Sequence, residues 1–577
     1  MSPSTSPAAT LESPRSPDPL TSSAACSPEV VNLWVWGFVA LGVVIRLVRY
    51  LLKFPLWEDE SFLSANLFDH GYAELAGALD YRQVAPVLFM WIQRAFVDLF
   101  GFNEYALRAF SLISGLASIF LFRHVASRLL AGWPLVLSVA LFSVSYPLIR
   151  YACEAKPYGS DMLVGLIYLA LFVEWQRDAG RTRYLWALAL FAPLSVGLSY
   201  PAVFVAGGVS LAVAGTLWSR QPGRGWIAWA AFNLAVAVSF LAITQWVAQK
   251  QSANDLEFMR SFWKGSFPPL NEPLQIPTWL LSVHTGEMLS YPLGSRRGGS
   301  ILTFLGVVTA LVVLYRARRF ALLTLFAAPL ALNLLASALE RYPYGGQTRL
   351  ELFHASWFCL LAGLGWATLA ARLVAKPNPD LGFVTPLWGE KFRGPAFVAC
   401  LLAVVGTGIM ARDFLKPAKT LSDQRARDFA RWFWFEMPHR GEVACVHTDL
   451  GQTFNAKLRE DLTWTVSYLC NQRIYSPRHA RQEPPAWDRI SKDWPLTCAL
   501  YMPHNMEFDE ARYQAWRTEM LTRYDLAWSD RIPVTRYDPR ESTLLGTDII
   551  ELLRFVPKDE GAAEYRLTRE PAKSERQ

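Results

Sequence analysis

Trp34-Val35-Trp36-Gly37-Phe38-Val39-Ala40-Leu41-Gly42-Val43-Val44-Ile45 is an unbroken apolar run, and Trp57-Glu58-Asp59-Glu60 follows a short basic stretch later. The first belongs to a segment, about 31–52, of the length a helix needs to cross a hydrocarbon core, ~20 residues. The second sets three adjacent carboxylates just beyond it. Such neighbours repel, and their pKa values rise unless a cation, a hydrogen-bond network or a metal compensates. The placement points to chemistry at a membrane surface. A further acid, Glu154, stands beyond another apolar run, in Arg150-Tyr151-Ala152-Cys153-Glu154-Ala155-Lys156-Pro157-Tyr158.

Working outward, uncharged runs of 15 to 36 residues recur along the 577-residue chain, which is 52% hydrophobic and holds 23 Trp. Its mean hydropathy is +0.18. This is the pattern of a polytopic α-helical membrane protein. The net charge of +7 is not a nucleic-acid footprint, because the basic residues sit mostly in short loops between crossings. The seven cysteines show no CxxC pairing, so nothing signals zinc. Cys445, Cys470 and Cys498 fall in the tail, where one disulfide can form and one cysteine is left over.

Residues 1–30, rich in Ser and Pro, read as a disordered cytosolic leader. The hydropathy predicts about 11 transmembrane helices, at about 31–52, 105–124, 132–150, 157–175, 183–199, 201–219, 225–249, 299–315, 320–339, 352–371 and 395–411. The longest uncharged run is divided at Ser199-Tyr200-Pro201. Residues 86–100 carry Arg94 and Asp98 and read as an amphipathic helix on the membrane surface. With the N-terminus cytosolic, the inner loops hold fourteen Lys/Arg and the short outer loops 150–156 and 340–351 hold two each, as the positive-inside rule requires. External loops 53–104 and 250–298 then face outward with a tail from about 412. Val443–Val446, Thr497–Met502 and Ile549–Phe555 read as strands and Asp423–Glu436 as a helix, so residues 412–577 are expected to form a small extracytoplasmic α/β domain.

The reactive groups gather in the outer loops. Leu56-Trp57-Glu58-Asp59-Glu60-Ser61-Phe62 resembles the Asp-Glu motif in the first external loop of GT-C glycosyltransferases, of the protein O-mannosyltransferase and lipid A aminoarabinose transferase type. Ala85-Pro86-Val87-Leu88-Phe89-Met90-Trp91 resembles their Pro-Pro-Leu surface helix, and Phe100-Gly101-Phe102-Asn103-Glu104-Tyr105-Ala106-Leu107-Arg108 their Phe-Gly…Arg run. The stretch from Tyr151 to Tyr158 is similar to Tyr-Ala-x-Glu-x-Arg-Pro-Tyr of bacterial members. Arg341-Tyr342-Pro343-Tyr344-Gly345-Gly346-Gln347-Thr348-Arg349 resembles a later external loop. The five stretches run in order over about 55–350, all on the expected outer side. Ala85 replaces the first Pro, and Lys156 replaces the usual Arg, keeping the charge but losing the planar fork.

The resemblance implies a bacterial GT-C enzyme with a polyprenyl-phosphate sugar donor. An inverting transfer needs a base on the acceptor hydroxyl and fixed cations on the departing phosphate. Asp59 is the candidate base. Glu60 orients it or is structural. Glu154 is a second acid, for acceptor positioning or a divalent metal (Mg or Mn). Arg82, Lys156 and Arg349 are candidate donor-phosphate ligands, with Glu340 or Glu351 as alternative partners of Arg349. Tyr81 and Tyr158 are candidate substrate contacts. Arg46, Arg49 and Lys53, on one face of the first crossing, either bind phosphate or snorkel to lipid. His284 and Glu287 are one helical turn apart and are more simply structural. The alternatives to a transferase are a flippase of a lipid-linked saccharide and a non-catalytic scaffold. The acceptor (lipid, glycan or protein) is not readable, and the expected location is a bacterial inner membrane.

Overall fold

A computed structural model describes residues 27–79, 83–220, 223–248, 260–293, 300–373, 375–377, 384–386, 393–419, 421, 424, 427–428, 445–447, 453–454, 496–502, 510–537 and 544–558. Helix α1 (Pro28–Leu51) starts three residues before its expected bound. Ser27 explains the difference, since its hydroxyl accepts from the Val30 amide at 3.4 Å and Pro28 takes the first helical position. Within residues 53–104 lie α2 (Glu58–Asp69), α3 (Tyr72–Leu75) and α4 (Val87–Phe100), followed by α5 (Glu104–Leu129), capped by Asn103 on the Ala106 amide at 2.9 Å. The chain continues through α6 (Gly132–Val144), α7 (Tyr146–Tyr151), α8 (Tyr158–Arg177), α9 (Arg183–Leu198), α10 (Ala202–Arg220) and α11 (Gly223–Ala248). Beyond lie α12 (Ile276–Thr285), α13 (Ile301–Arg316), α14 (Phe320–Ala338), α15 (Ala355–Leu373) and α16 (Arg393–Leu415).

Eight described helices are long and apolar enough to cross a membrane. They coincide with expected crossings, and this is an integral membrane protein. Three more apolar helices, Gly132–Val144, Arg183–Leu198 and Ile301–Arg316, coincide with the other expected crossings but are shorter than a span. The expected 132–150 crossing breaks at Ser145, because Pro147 in the first turn of α7 has no amide hydrogen for a continuous ladder. The chain also turns at Ser199-Tyr200-Pro201, between α9 and α10, where the sequence divides the long run. Helix α4 lies where the surface helix is expected. Its Arg94 donates to the carbonyls of Leu67 (2.8 Å) and His70 (3.2 Å), so α4 holds the end of α2.

The core joins α1, α5, α6, α8, α10 and α15, with Trp175, Tyr168 and Trp357 buried and Phe122 stacked on Phe142 at 4.1 Å. Lipid offers no hydrophobic drive to helix association, so small residues let backbones approach. A Cβ on Gly115 would sit 2.4 Å from the Ala152 Cβ, and only glycine lets α5 seat the loop that carries Glu154.

A ribbon of β1 (Ala375–Pro377) and β2 (Val384–Pro386) precedes α16. The tail holds β3 (Cys445–His447), β4 (Thr453–Phe454), β5 (Leu496–Met502), α17 (Glu510–Arg523), β6 (Tyr524–Tyr537) and β7 (Leu544–Pro557). Its sheet has the order β4-β3-β5-β7-β6, with β3 and β5 parallel and the other pairs antiparallel. The three expected strands fall on β3, β5 and β7. The parallel register sets Cys445 opposite Cys498. Cys470 lies outside the described residues, as does most of the expected helix 423–436.

Candidate active site

Helix α2 begins in the acid cluster. Asp59 and Glu60 sit in its first turn, where exposed amides and the helix dipole favour negative charge. Glu60 reaches back to accept from the Trp57 amide at 3.4 Å. It is 1% exposed. Its Oε1 accepts from Arg108 Nε at 2.8 Å and from the Ala155 amide at 2.7 Å, and its Oε2 accepts from Arg108 Nη2 at 2.7 Å. Arg108 also donates to the carbonyls of Phe54 (2.6 Å) and Pro55 (3.3 Å). One buried ion pair therefore ties Phe54-Pro55, α2, α5 and the Glu154 loop together.

Asp59 accepts from Arg349, 290 residues away in sequence. Its side chain is 30% exposed, that of Arg349 9%. Burial opposes ionisation of Asp59, but Lys156 and Arg349, joined by Lys419, more than offset it and hold the carboxyl below its usual value. Glu154 follows the same rule. Burial raises it, and Arg150, whose Nε donates to Glu154 Oε1 at 2.6 Å, outweighs burial with help from Lys419. Burial pushes the Lys156 ammonium down to about 8, Asp59 resists that shift, and Arg349 adds to it. Lys156 Nζ donates to Gln83 Oε1 at 2.8 Å.

The Trp57 indole gathers the cations. Lys419 Nζ lies 3.0 Å from its ring centroid, and the guanidinium carbons of Arg349 and Arg150 lie at 5.3 and 5.8 Å. Around it, Arg150, Lys156, Arg349 and Lys419 face Asp59 and Glu154. Among the described side chains here, four cations against two carboxylates leave an excess of two positive charges, the Glu60–Arg108 pair being neutral. Three shielded atoms here, Arg349 Nε, Trp57 Nε1 and Glu154 Oε2, have no hydrogen-bond partner. Buried polar atoms are normally paired, so two donors and an acceptor left open fit a polar ligand.

The segment before Arg349 is built to hold it. Gly345 and Gly346 adopt φ of +64° and +74°, and a Cβ on Gly346 would lie 2.0 Å from Ser266 Oγ. Glu351, fully buried, accepts from Asn333 Nδ2 (2.8 and 3.0 Å), the Gly345 amide (2.8 Å) and His354 Nδ1 (2.9 Å). Glu351 is thus already committed, and Glu340 pairs with Arg260 at 3.1 Å. Neither alternative partner takes Arg349.

Among the expected residues, Asp59, Glu60, Glu154, Lys156 and Arg349 come together. Tyr158 stands edge-on to Tyr151 at 5.2 Å beside them. Tyr81 and Arg82 lie outside the described residues. The reading of Arg46, Arg49 and Lys53 as phosphate ligands or snorkelling side chains is corrected. Arg46 is fully buried and donates to Gly42 O (3.0 Å), Ser143 O (2.9 Å) and Phe142 O (3.4 Å), the last two at the C-terminal end of α6 where carbonyls attract a cation. Arg49 pairs with Asp413 at 2.6 Å, and Lys53 with Glu104 at 3.3 Å. His284 is engaged at both nitrogens, by Leu280 O at 2.7 Å and the Tyr344 hydroxyl at 3.0 Å, which fits its structural reading.

Asp59, Glu60 and Glu154 each carry their own arginine instead of converging on a point, and among the described residues no three His, Cys, Asp or Glu gather. Arg108, Arg150 and Lys419 escape the sequence reading of the site. Arg108 had a signal, a cation inside an expected crossing. Lys419 had none, because only folding brings it to Trp57.

No family model matches the chain, and no curated protein matches it. Among solved structures, ArnT from Cupriavidus metallidurans bound to undecaprenyl phosphate aligns at a TM-score of 0.50 and 14% identity, over 90% of this chain and 98% of that one. The apo state of the same protein aligns at 0.50 and 13%, with the same coverage. The chain shares its fold with ArnT. The oligosaccharyltransferase of Archaeoglobus fulgidus, tethered with an acceptor peptide, aligns at 0.43 and 12% over 92% of this chain and 76% of its own.

Proposed function

We propose that the protein is an inverting GT-C glycosyltransferase that moves a sugar from a polyprenyl-phosphate donor to an acceptor hydroxyl at the outer face of the membrane. The observation that carries this reading is the ionised Asp59 set among Lys156, Arg349 and Lys419, with two positive charges in excess. That excess balances the two negative charges of a released phosphate monoester. ArnT, whose fold this is, was solved with undecaprenyl phosphate.

In this mechanism Asp59 takes the proton of the acceptor hydroxyl. The acceptor oxygen bonds to the anomeric carbon as the bond from that carbon to the phosphate oxygen breaks on the opposite side. The electron pair leaves with the phosphate, and Arg349 and Lys156 stabilise it, Arg349 through the Nε–H that lacks an acceptor. Arg82 is the third phosphate ligand of this proposal and Tyr81 and Tyr158 its sugar contacts. Glu154 positions the acceptor through Oε2. Glu60 acts indirectly, fixing the start of α2 through Arg108 and Ala155. The location is the bacterial inner membrane, with the N-terminus cytosolic and residues 412–577 forming a domain outside.

The test is purified protein in detergent with radiolabelled polyprenyl-phosphate hexoses and a membrane acceptor extract, beside Asp59→Asn. Label should reach acceptor with the wild type alone. Transfer by Asp59→Asn would remove Asp59 as the base. Donor binding without any transfer by the wild type would favour lipid-linked saccharide transport.

A further inference from the structure

Lys419 belongs to no loop that the sequence associates with the site. It follows α16, in the segment leading to the tail. Two described residues on either side of Lys419 contact the outer end of α1. Asp413, near the end of α16, is buried against Arg49 at 2.6 Å. Arg427 donates to the Lys53 carbonyl at 3.0 Å. Between these residues Lys419 projects onto Trp57, its Nζ 3.0 Å from the ring centroid. The same indole faces Arg349 and Arg150. Arg349 and Arg150 pair with Asp59 and Glu154, and Lys419 lies near enough to both carboxylates to lower them; the ring quadrupole that Lys419 also faces is a weak counter-charge. A phosphate is a stronger one, since charge-assisted hydrogen bonds to an anion outdo a cation–π contact. An ammonium on a flexible stem can swing from the ring to an anion beside it.

We propose that Lys419 is a ligand of the donor phosphate, supplied by the segment after the last crossing and held over Trp57 until lipid binds. This rests on the polyprenyl-phosphate reading above. It adds a residue beyond the external loops.

The experiment measures binding of undecaprenyl phosphate and of undecaprenol, which lacks the phosphate, to the full-length protein in detergent. Wild type, Lys419→Met and Lys419→Arg are compared. Wild type should prefer the phosphate. Lys419→Met should cut that preference about tenfold and leave undecaprenol affinity unchanged, while Lys419→Arg retains most of it. A preference unchanged in Lys419→Met overturns the proposal. Equal weakening of both lipids overturns it too, since that marks a structural prop. No preference in the wild type sinks the donor reading itself, a different result. If Lys419→Met does not fold, Lys419→Gln is read by the same criteria.

Discussion

Glu60→Gln separates a positioning acid from a catalytic one. In the protein, Arg108 and Glu60 are 5% and 1% exposed along their side chains, with two parallel hydrogen bonds between them. Glutamine preserves shape. It can still accept from the Ala155 amide, and Arg108 keeps the Phe54 and Pro55 carbonyls. What is lost is the counter-charge of a buried guanidinium. Breaking such a pair by removing one partner costs about 3–5 kcal/mol, and the retained carbonyl bonds place this case at the low end, ~3 kcal/mol. That is on the order of a hundredfold in the folding equilibrium. Thermal unfolding in detergent should therefore show a midpoint several degrees lower. Replacing both residues by apolar ones should cost less than the two single changes together, because no charge is stranded. Sugar transfer, measured well below the new midpoint, should be reduced and not abolished. An unchanged midpoint with transfer eliminated would refute the reasoning and make Glu60 a group that meets substrate.

Two further outcomes follow from the same geometry. Lys156 titrates at about 8, well below an ordinary lysine, so its charge is complete below that pH and lost above it. Affinity for polyprenyl phosphate should fall as pH rises through about 8, and Lys156→Arg should carry the high affinity further into the alkaline range. The sign for stability is opposite, since the unfolded lysine holds its proton longer and folding gains as pH rises from about 8 toward the usual lysine value. Gly346→Ala would combine a φ of +74° with a Cβ 2.0 Å from Ser266 Oγ. The backbone part alone costs of order 1–3 kcal/mol. Transfer should fall with it because Arg349 is displaced, and unaltered activity and unfolding midpoint would show that the turn does not position Arg349.

The crossings were legible in the sequence because hydropathy adds up over a window and the bilayer sets its length. The eight long helices, the turn at Ser199-Tyr200-Pro201 and helix α4 all follow from residues near one another in the chain. So does the gathering of Asp59, Glu154 and Arg349 outside the crossings. The distant partners were not legible. Glu60 finds Arg108, Arg349 finds Asp59, and Arg46 finds the end of α6, each across 48 residues or more. Such pairings depend on approaches of a few ångströms between distant segments, and composition carries no trace of them. The apolar sequence committed the chain to a membrane. Tertiary packing decided which ions became struts, such as Arg46, Arg49 and Glu60, and which stayed exposed enough to meet a ligand, such as Asp59. Burial with a satisfied partner consumes a charge, whereas burial beside an open atom leaves it available.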